Sequence, residues 1–199
     1  MSRMRTIGLA LLTGLTLLAP SAASADTYSR VDAPGDVVTV DHESDARVVD
    51  PSYAEGDILF SRVVHARRSV RMTMRYRELT IPSRTATHFF ELLTNEHVRR
   101  HLSVIVGPGI YQGGPRWQGV ALLWRREYRK VRCPHMRTSI DYDANIIRVV
   151  LPRRCMSWPR WVRVGMAVNT SNPKVQGVDG ALDDGQVADF IRLGPRVFR

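Results

Sequence analysis

The stretch Val70-Arg71-Met72-Thr73-Met74-Arg75-Tyr76-Arg77 decides the fold. Apolar and polar side chains alternate through it. A period of two is that of an extended strand, whose successive side chains point to opposite faces. Val70, Met72, Met74 and Tyr76 belong to a core. Arg71, Thr73, Arg75 and Arg77 belong to water.

The same reading extends in both directions. Ile58 to His65 is an apolar, β-branched run after Gly56-Asp57, with Ala66-Arg67-Arg68 as the turn into the deciding strand. Before it, Asp26 to Ser52 is polar and holds one short strand, Val37–Val40, after the Pro34-Gly35 turn. Thr85 to Leu102 is compatible with a helix or with two strands, Ala86–Leu93 and Leu102–Gly107. Its β-patterned neighbours favour the strands. Gln118–Arg126 and Trp161–Val168 are further strands. The tail from Asn169 is polar and closes on Phe190–Leu193, a short edge strand. Strands of this length with frequent turn signals give an all-β fold, a single antiparallel β-sandwich, with a barrel as the alternative.

Cys133 and Cys155 are the only cysteines, and a disulfide is the default pairing in an oxidising compartment. Between them lies a hairpin. Met136, Thr138, Ile140 and Tyr142 alternate with polar residues, and Ile146–Leu151 is strongly β-forming. Ile140 and Tyr142 should share a face with Ile147, Val149 and Leu151. The preferred register makes Ala144-Asn145 a two-residue loop and sets Asp141 opposite Arg148. A four-residue loop is the second choice. Closing a loop of this size stabilises the fold by roughly 3 kcal/mol.

The first 25 residues read as a secretion signal. Arg3 and Arg5 precede an apolar run from Thr6 to Leu18, then Pro20, then the small-x-small site Ala23-Ser24-Ala25. The expected product is one extracellular domain, residues 26–199, with no stable membrane anchor. Residues 1–25 hold two of the 29 basic residues and none of the 19 acids, so the remainder keeps a formal charge of +8. All the basic residues except Lys130 and Lys174 are arginine. Codon bias in a GC-rich genome accounts for that. A surface for phosphate or carboxylate groups is the functional alternative.

Several short motifs occur together: Asp32-x-x-x-Asp36, Gly56-Asp57-Ile58, Cys133-Pro134, Asp141-Tyr142, Pro152-Arg153-Arg154-Cys155 and Pro159-Arg160-Trp161-Val162-Arg163-Val164. In these the chain resembles a group of small secreted actinobacterial proteins with no assigned activity. The resemblance implies the compartment and the sandwich, and carries over no catalytic residue.

The sequence offers little chemistry. There is no Gly-x-Ser-x-Gly elbow. His97 and His101 lack the glutamate of a His-Glu-x-x-His site and are flanked by arginines. Glu55, Glu78, Glu91, Glu96 and Glu127 could supply a carboxylate pair, but nothing singles one out. No catalytic residue is therefore assigned. Two acidic groups, Asp32/Asp36/Asp57 and Asp179/Asp183/Asp184, are weak candidates for structural calcium, the one cofactor considered. Arg71, Arg75 and Arg77 are candidates for anion binding. Tyr111 and Trp117, beside the Gly/Pro-rich loop, are candidates for stacking on sugars. The expected partner is an anionic or carbohydrate polymer of the cell envelope, with nucleic acid not expected. A structural or protein-interaction domain is the alternative, and a carboxylate-based hydrolase a weaker one.

Overall fold

A computed structural model describes residues 25–82, 84–95, 99–108, 116–125, 129–181 and 191–199. Residues 1–24 of the proposed signal segment, Glu96, His97, Tyr111, Glu127, Asp183 and Asp184 lie outside the described residues. Two antiparallel sheets pack face to face.

The first sheet has five strands in the order β1 (Asp26–Val31), β4 (Ile58–His65), β5 (Ser69–Tyr76), β10 (Ile146–Pro152), β9 (Arg137–Asp141). The second runs β3 (Arg47–Val49), β2 (Val38–Asp41), β12 (Val175–Gly180), β11 (Trp161–Ser171), β6 (Ala86–Thr94), β7 (Arg99–Gly107), β8 (Arg116–Arg125), with β13 (Val197–Phe198) pairing on β11. The sandwich is the expected one. No ladder joins the two sheets into a closed barrel among the described residues.

The deciding strand behaves as its pattern requires. Val70, Met72, Met74 and Tyr76 are buried, and Arg71 and Arg75 are exposed. Register carries the pattern across the sheet, because directly opposed residues share a face. Ser61, Met74, Ile147 and Ile140 form one inward row, and Val63, Met72, Val149 and Thr138 the next. Phe90, Leu92, Leu102, Val104, Val164 and Met166 face them from the second sheet. The strand reading of Thr85–Leu102 holds for the described residues: β6 and β7 are an antiparallel pair.

Cys133 and Cys155 are bonded, with Cα atoms 5.6 Å apart. The hairpin register is the second choice. Ile146 pairs with Asp141, so Arg148 lies opposite Ser139 and the loop has four residues, Tyr142–Asn145. The reason is Asn145. Its backbone carbonyl accepts from Tyr76 N–H at 2.9 Å, and its side-chain oxygen accepts from Leu79 N–H at 2.8 Å. Those bonds tie the residue to the end of β5, where it holds φ +55°, a value asparagine tolerates. Arg148 still reaches Asp141 diagonally, at 3.9 Å.

Four strands escape the sequence reading: β1, β3, β12 and β13. β1 lies in the polar region and pairs along the whole of its length with β4. β12 lies in the polar tail, after a turn in which Asn172 Oδ1 accepts from Lys174 and Val175 N–H. The strand near the C-terminus is Val197–Phe198. Residues 191–193 are not strand but strap the outer face of β11, where Arg163 donates to the Leu193 and Gly194 carbonyls. Gly165 permits this approach: a Cβ there would meet the Arg192 carbonyl oxygen at 2.4 Å.

Candidate functional site

Two charged regions stand out, on opposite sides of the exposure scale. The outer face of the five-stranded sheet is basic. Reading across the register, Arg71 and Arg137 share one row through Val150, Arg62 and Arg148 flank Thr73 in the next, and Arg75 lies in a third with Phe60 and Ile146. All five arginines are exposed. Rows on one face repeat about every 6.6 Å along a strand, so Arg71 and Arg75 are separated by about 13 Å along β5. Arg75 lies over the Phe60 ring, 5.8 Å from its centroid. Asp141, in the Arg75 row, is the acid on this face. No acidic side chain is within ion-pair distance of Arg62, Arg71 or Arg137 among the described residues.

Of the three arginines singled out by sequence, the structure brings Arg71 and Arg75 together. Arg77 follows the end of β5 and turns away, donating to the Pro51 carbonyl at 2.9 Å and approaching Asp57 at 3.6 Å. Arg62, Arg137 and Arg148 were missed because they sit on other strands. Only the pairing register brings them to this face.

Trp117 is half-buried against the core, and its carbonyl accepts the Tyr142 hydroxyl at 2.6 Å. Trp158 is the more open indole, at 56% exposure. It follows a 3-10 turn, Arg153–Met156, at the β4–β5 end of the five-stranded sheet. Both Ser157 and Trp158 have positive φ, +60° and +57°. That is a costly conformation for a bulky residue. Arg153 holds it from below: its guanidinium lies 5.6 Å from the indole centroid and donates to the carbonyls of Arg67 and Pro159. The exposed Arg67, Arg68, Arg154 and Arg160 are near in the chain or joined through these bonds.

The second region is acidic and enclosed. Asp57 is 0%, Asp179 2%, Asp32 4% and Asp36 8% exposed. Carboxylate oxygens of Asp36, Asp57 and Asp179 lie within 4.8 Å of one another. They come from the β1–β2 crossover, the β3–β4 turn and β12, where the chain passes between sheets. Asp57 Oδ2 accepts from Gly35 N–H at 2.7 Å. Asp179 Oδ2 accepts from Ile58 N–H at 2.6 Å and its Oδ1 from Gly180 N–H at 2.7 Å. Asp57 Oδ1 is buried without a hydrogen-bond partner. The two acidic groups seen in sequence thus contribute to one cluster. Asp36 and Asp57 meet Asp179, while Asp32 stays outside the group of three.

Other titratable groups give little acid–base chemistry. Tyr76 and His88 share a 2.8 Å hydrogen bond inside the core. Burial pushes His88 down to about 3 and, with the Asp179 charge adding, holds the Tyr76 hydroxyl well above its ordinary value. Both are neutral near pH 7. His101 is on a strand, 3.9 Å from Glu91, so no helical face pairs it with position 97. Glu91 is taken by Arg99 at 2.7 Å. Glu55 bridges to Glu78. Burial raises the Glu55 carboxyl, the Thr80 hydroxyl at 3.1 Å opposes that, and the Glu78 charge adds to it.

Compared with protein-family models, with curated proteins and with solved structures, the chain gives no match. No helix among the described residues is long and apolar enough to cross a membrane.

Proposed function

We propose that this protein is a non-catalytic extracellular module whose five-stranded sheet docks an anionic polymer of the cell envelope. The observation that carries the reading is the arginine face: Arg62, Arg71, Arg75, Arg137 and Arg148 in three adjoining rows with one acid among them. Guanidinium groups bind phosphate or carboxylate in bidentate fashion. A flat, rigid array repeated along the strands suits an extended chain of such groups better than a single small anion. Export supports the envelope as the setting. It rests on the signal-like residues 1–25 and agrees with the Cys133–Cys155 bridge, since disulfides persist in oxidising compartments. The likeness to small secreted actinobacterial proteins points the same way.

Within this reading Arg71 and Arg75 are ligand-binding residues. Arg77 is a structural partner of Asp57. Trp158, set among arginines at the end of the same sheet, is a further indole placed to stack on a sugar ring of the polymer.

The test is retention of the purified protein on isolated cell walls and on a soluble polyanion. Retention should be lost by about 0.5 M salt, where exposed charges are strongly screened. A triple Arg62→Gln, Arg71→Gln, Arg148→Gln variant should fold normally and fail to bind at low salt. Retention that survives both changes rules the arginine face out. Retention lost only on Glu55→Gln, together with polymer cleavage by the parent, would favour a hydrolase instead.

A further inference from the structure

Three carboxylates in one enclosed place call for a counter-charge. Unscreened like charges at such separations repel strongly in a medium of low polarity. Arg77 answers part of the demand. It approaches Asp57 Oδ2, the oxygen already capped by Gly35 N–H, and its own side chain is half in water. The other oxygen, Asp57 Oδ1, is left buried with no hydrogen donor. A buried carboxylate oxygen without a donor is costly to keep. It is also the natural ligand of a metal ion.

We propose that Asp36, Asp57 and Asp179 hold a calcium ion that joins the two sheets. The donor set selects the ion. All three residues offer oxygen, with no histidine or cysteine in the group, which excludes the preferences of zinc and copper. Magnesium demands near-ideal octahedral geometry and keeps several waters, which suits a group this deeply enclosed poorly. Calcium takes six to eight oxygens in irregular arrangement and draws on loop carbonyls as well as carboxylates. Two of the three donors lie in crossover segments of irregular backbone, where such carbonyls are available.

The placement gives the ion a structural role. Asp36 follows Gly35, whose N–H binds Asp57. Asp57 precedes Ile58, whose N–H binds Asp179. The donors already form a chain of contacts from the β1–β2 crossover through the start of β4 to β12. An ion at their meeting point would fasten the first sheet to the second. This inference is independent of the polymer-binding reading, and neither stands or falls with the other.

The experiment measures thermal unfolding of the purified protein in EDTA, in millimolar calcium and in millimolar magnesium. Terbium luminescence excited through the aromatic side chains reads the site directly, with Tyr76 opposite Ile58 in the ladder as a near donor. Calcium at about 100 times its Kd should raise Tm by roughly 5–10 °C. Magnesium should do much less. Terbium should give an emission that calcium displaces. Asp57→Asn should abolish both responses, and Asp36→Asn serves in its place if that variant does not fold. Equal Tm in calcium and EDTA with no terbium emission overturns the proposal. So does an Asp57→Asn protein that keeps the full calcium response. A protein indifferent to calcium but more stable at pH 5 than at pH 7 would mean that a shared proton neutralises the cluster, and would overturn it too.

Discussion

The five-stranded sheet carries arginines on its outer face, and the junction between the sheets carries aspartates in its interior. Both are concentrations of one sign of charge, yet they make very different demands on the fold. The arginines stand in water, where their mutual repulsion is weak and salt screens it. Apart from the Arg148–Asp141 and Arg75–Phe60 contacts the fold makes little use of them, so their alignment across four strands is a question about ligands. The aspartates are enclosed, and each buried charge must be offset within the structure. Their arrangement is first a question about stability. Exposure therefore separates a surface that function can alter freely from a cluster on which the architecture depends.

That contrast can be broken by experiment, beginning with acid. His88 is held neutral in the core, with its pKa lowered to about 3 from an ordinary 6.5. The neutral form is the one the fold favours, so this contribution is complete above pH 6.5 and declines as the pH falls through the folded value near 3. Over the whole interval it amounts to roughly 4–5 kcal/mol. Unfolding midpoints in urea between pH 7 and pH 4 should fall steeply. An imidazolium signal from His88 in the folded protein at pH 5 would contradict the assignment.

The next effect is that of Asp179→Ala, which removes the acceptor of two N–H groups, Ile58 and Gly180. A loss of about 2–4 kcal/mol is expected from urea unfolding, since the Ile58 donor stays enclosed. Asp179→Asn, which keeps an acceptor, should cost less. Equal losses would show that charge, not hydrogen bonding, matters at this position. The smallest effect belongs to the outer face. Arg62→Gln, Arg71→Gln and Arg148→Gln together should change unfolding free energy by less than about 0.5 kcal/mol each. A larger loss would mean that these residues are structural, and would erase the contrast.

How far the sequence revealed all this depends on the residue. Val70 to Arg77 announced a two-faced strand because burial on one side leaves a period of two. Cys133 and Cys155 announced their bond because they had no competitor. The hairpin between them was legible as a hairpin but not in its register. Asn145 spends its side chain on Leu79, in another segment, and no local rule contains that partner. β1 and β12 were hidden for a similar reason. They are polar enough to read as loops, and they are strands because β4 and β11 offer them ladders. The arginine face was half visible. Arg71 and Arg75 share a strand, but Arg62, Arg137 and Arg148 reach the same plane through three pairings. The acids show the limit most clearly. Asp36 and Asp57 stand in one sequence group and Asp179 in another. Asp179 lies 121 residues from Ile58 in the sequence, and the fold alone brings them into contact.

The two ends of the described chain meet. Phe198 N–H donates to Asp26 Oδ2 at 2.8 Å, Val197 pairs with Val162, and the Val197 carbonyl accepts from His65 Nδ1 at 3.0 Å inside the first sheet. A polypeptide that emerges N-terminus first therefore cannot complete this clasp until Val197 and Phe198 are free. The disulfide hairpin can close early, because both its strands arrive together. The seam between the sheets, latched by Val197 and lined by Asp179, must wait. Stepwise emergence would release a half-zipped intermediate, and removal of residues 197–199 would leave it without this latch.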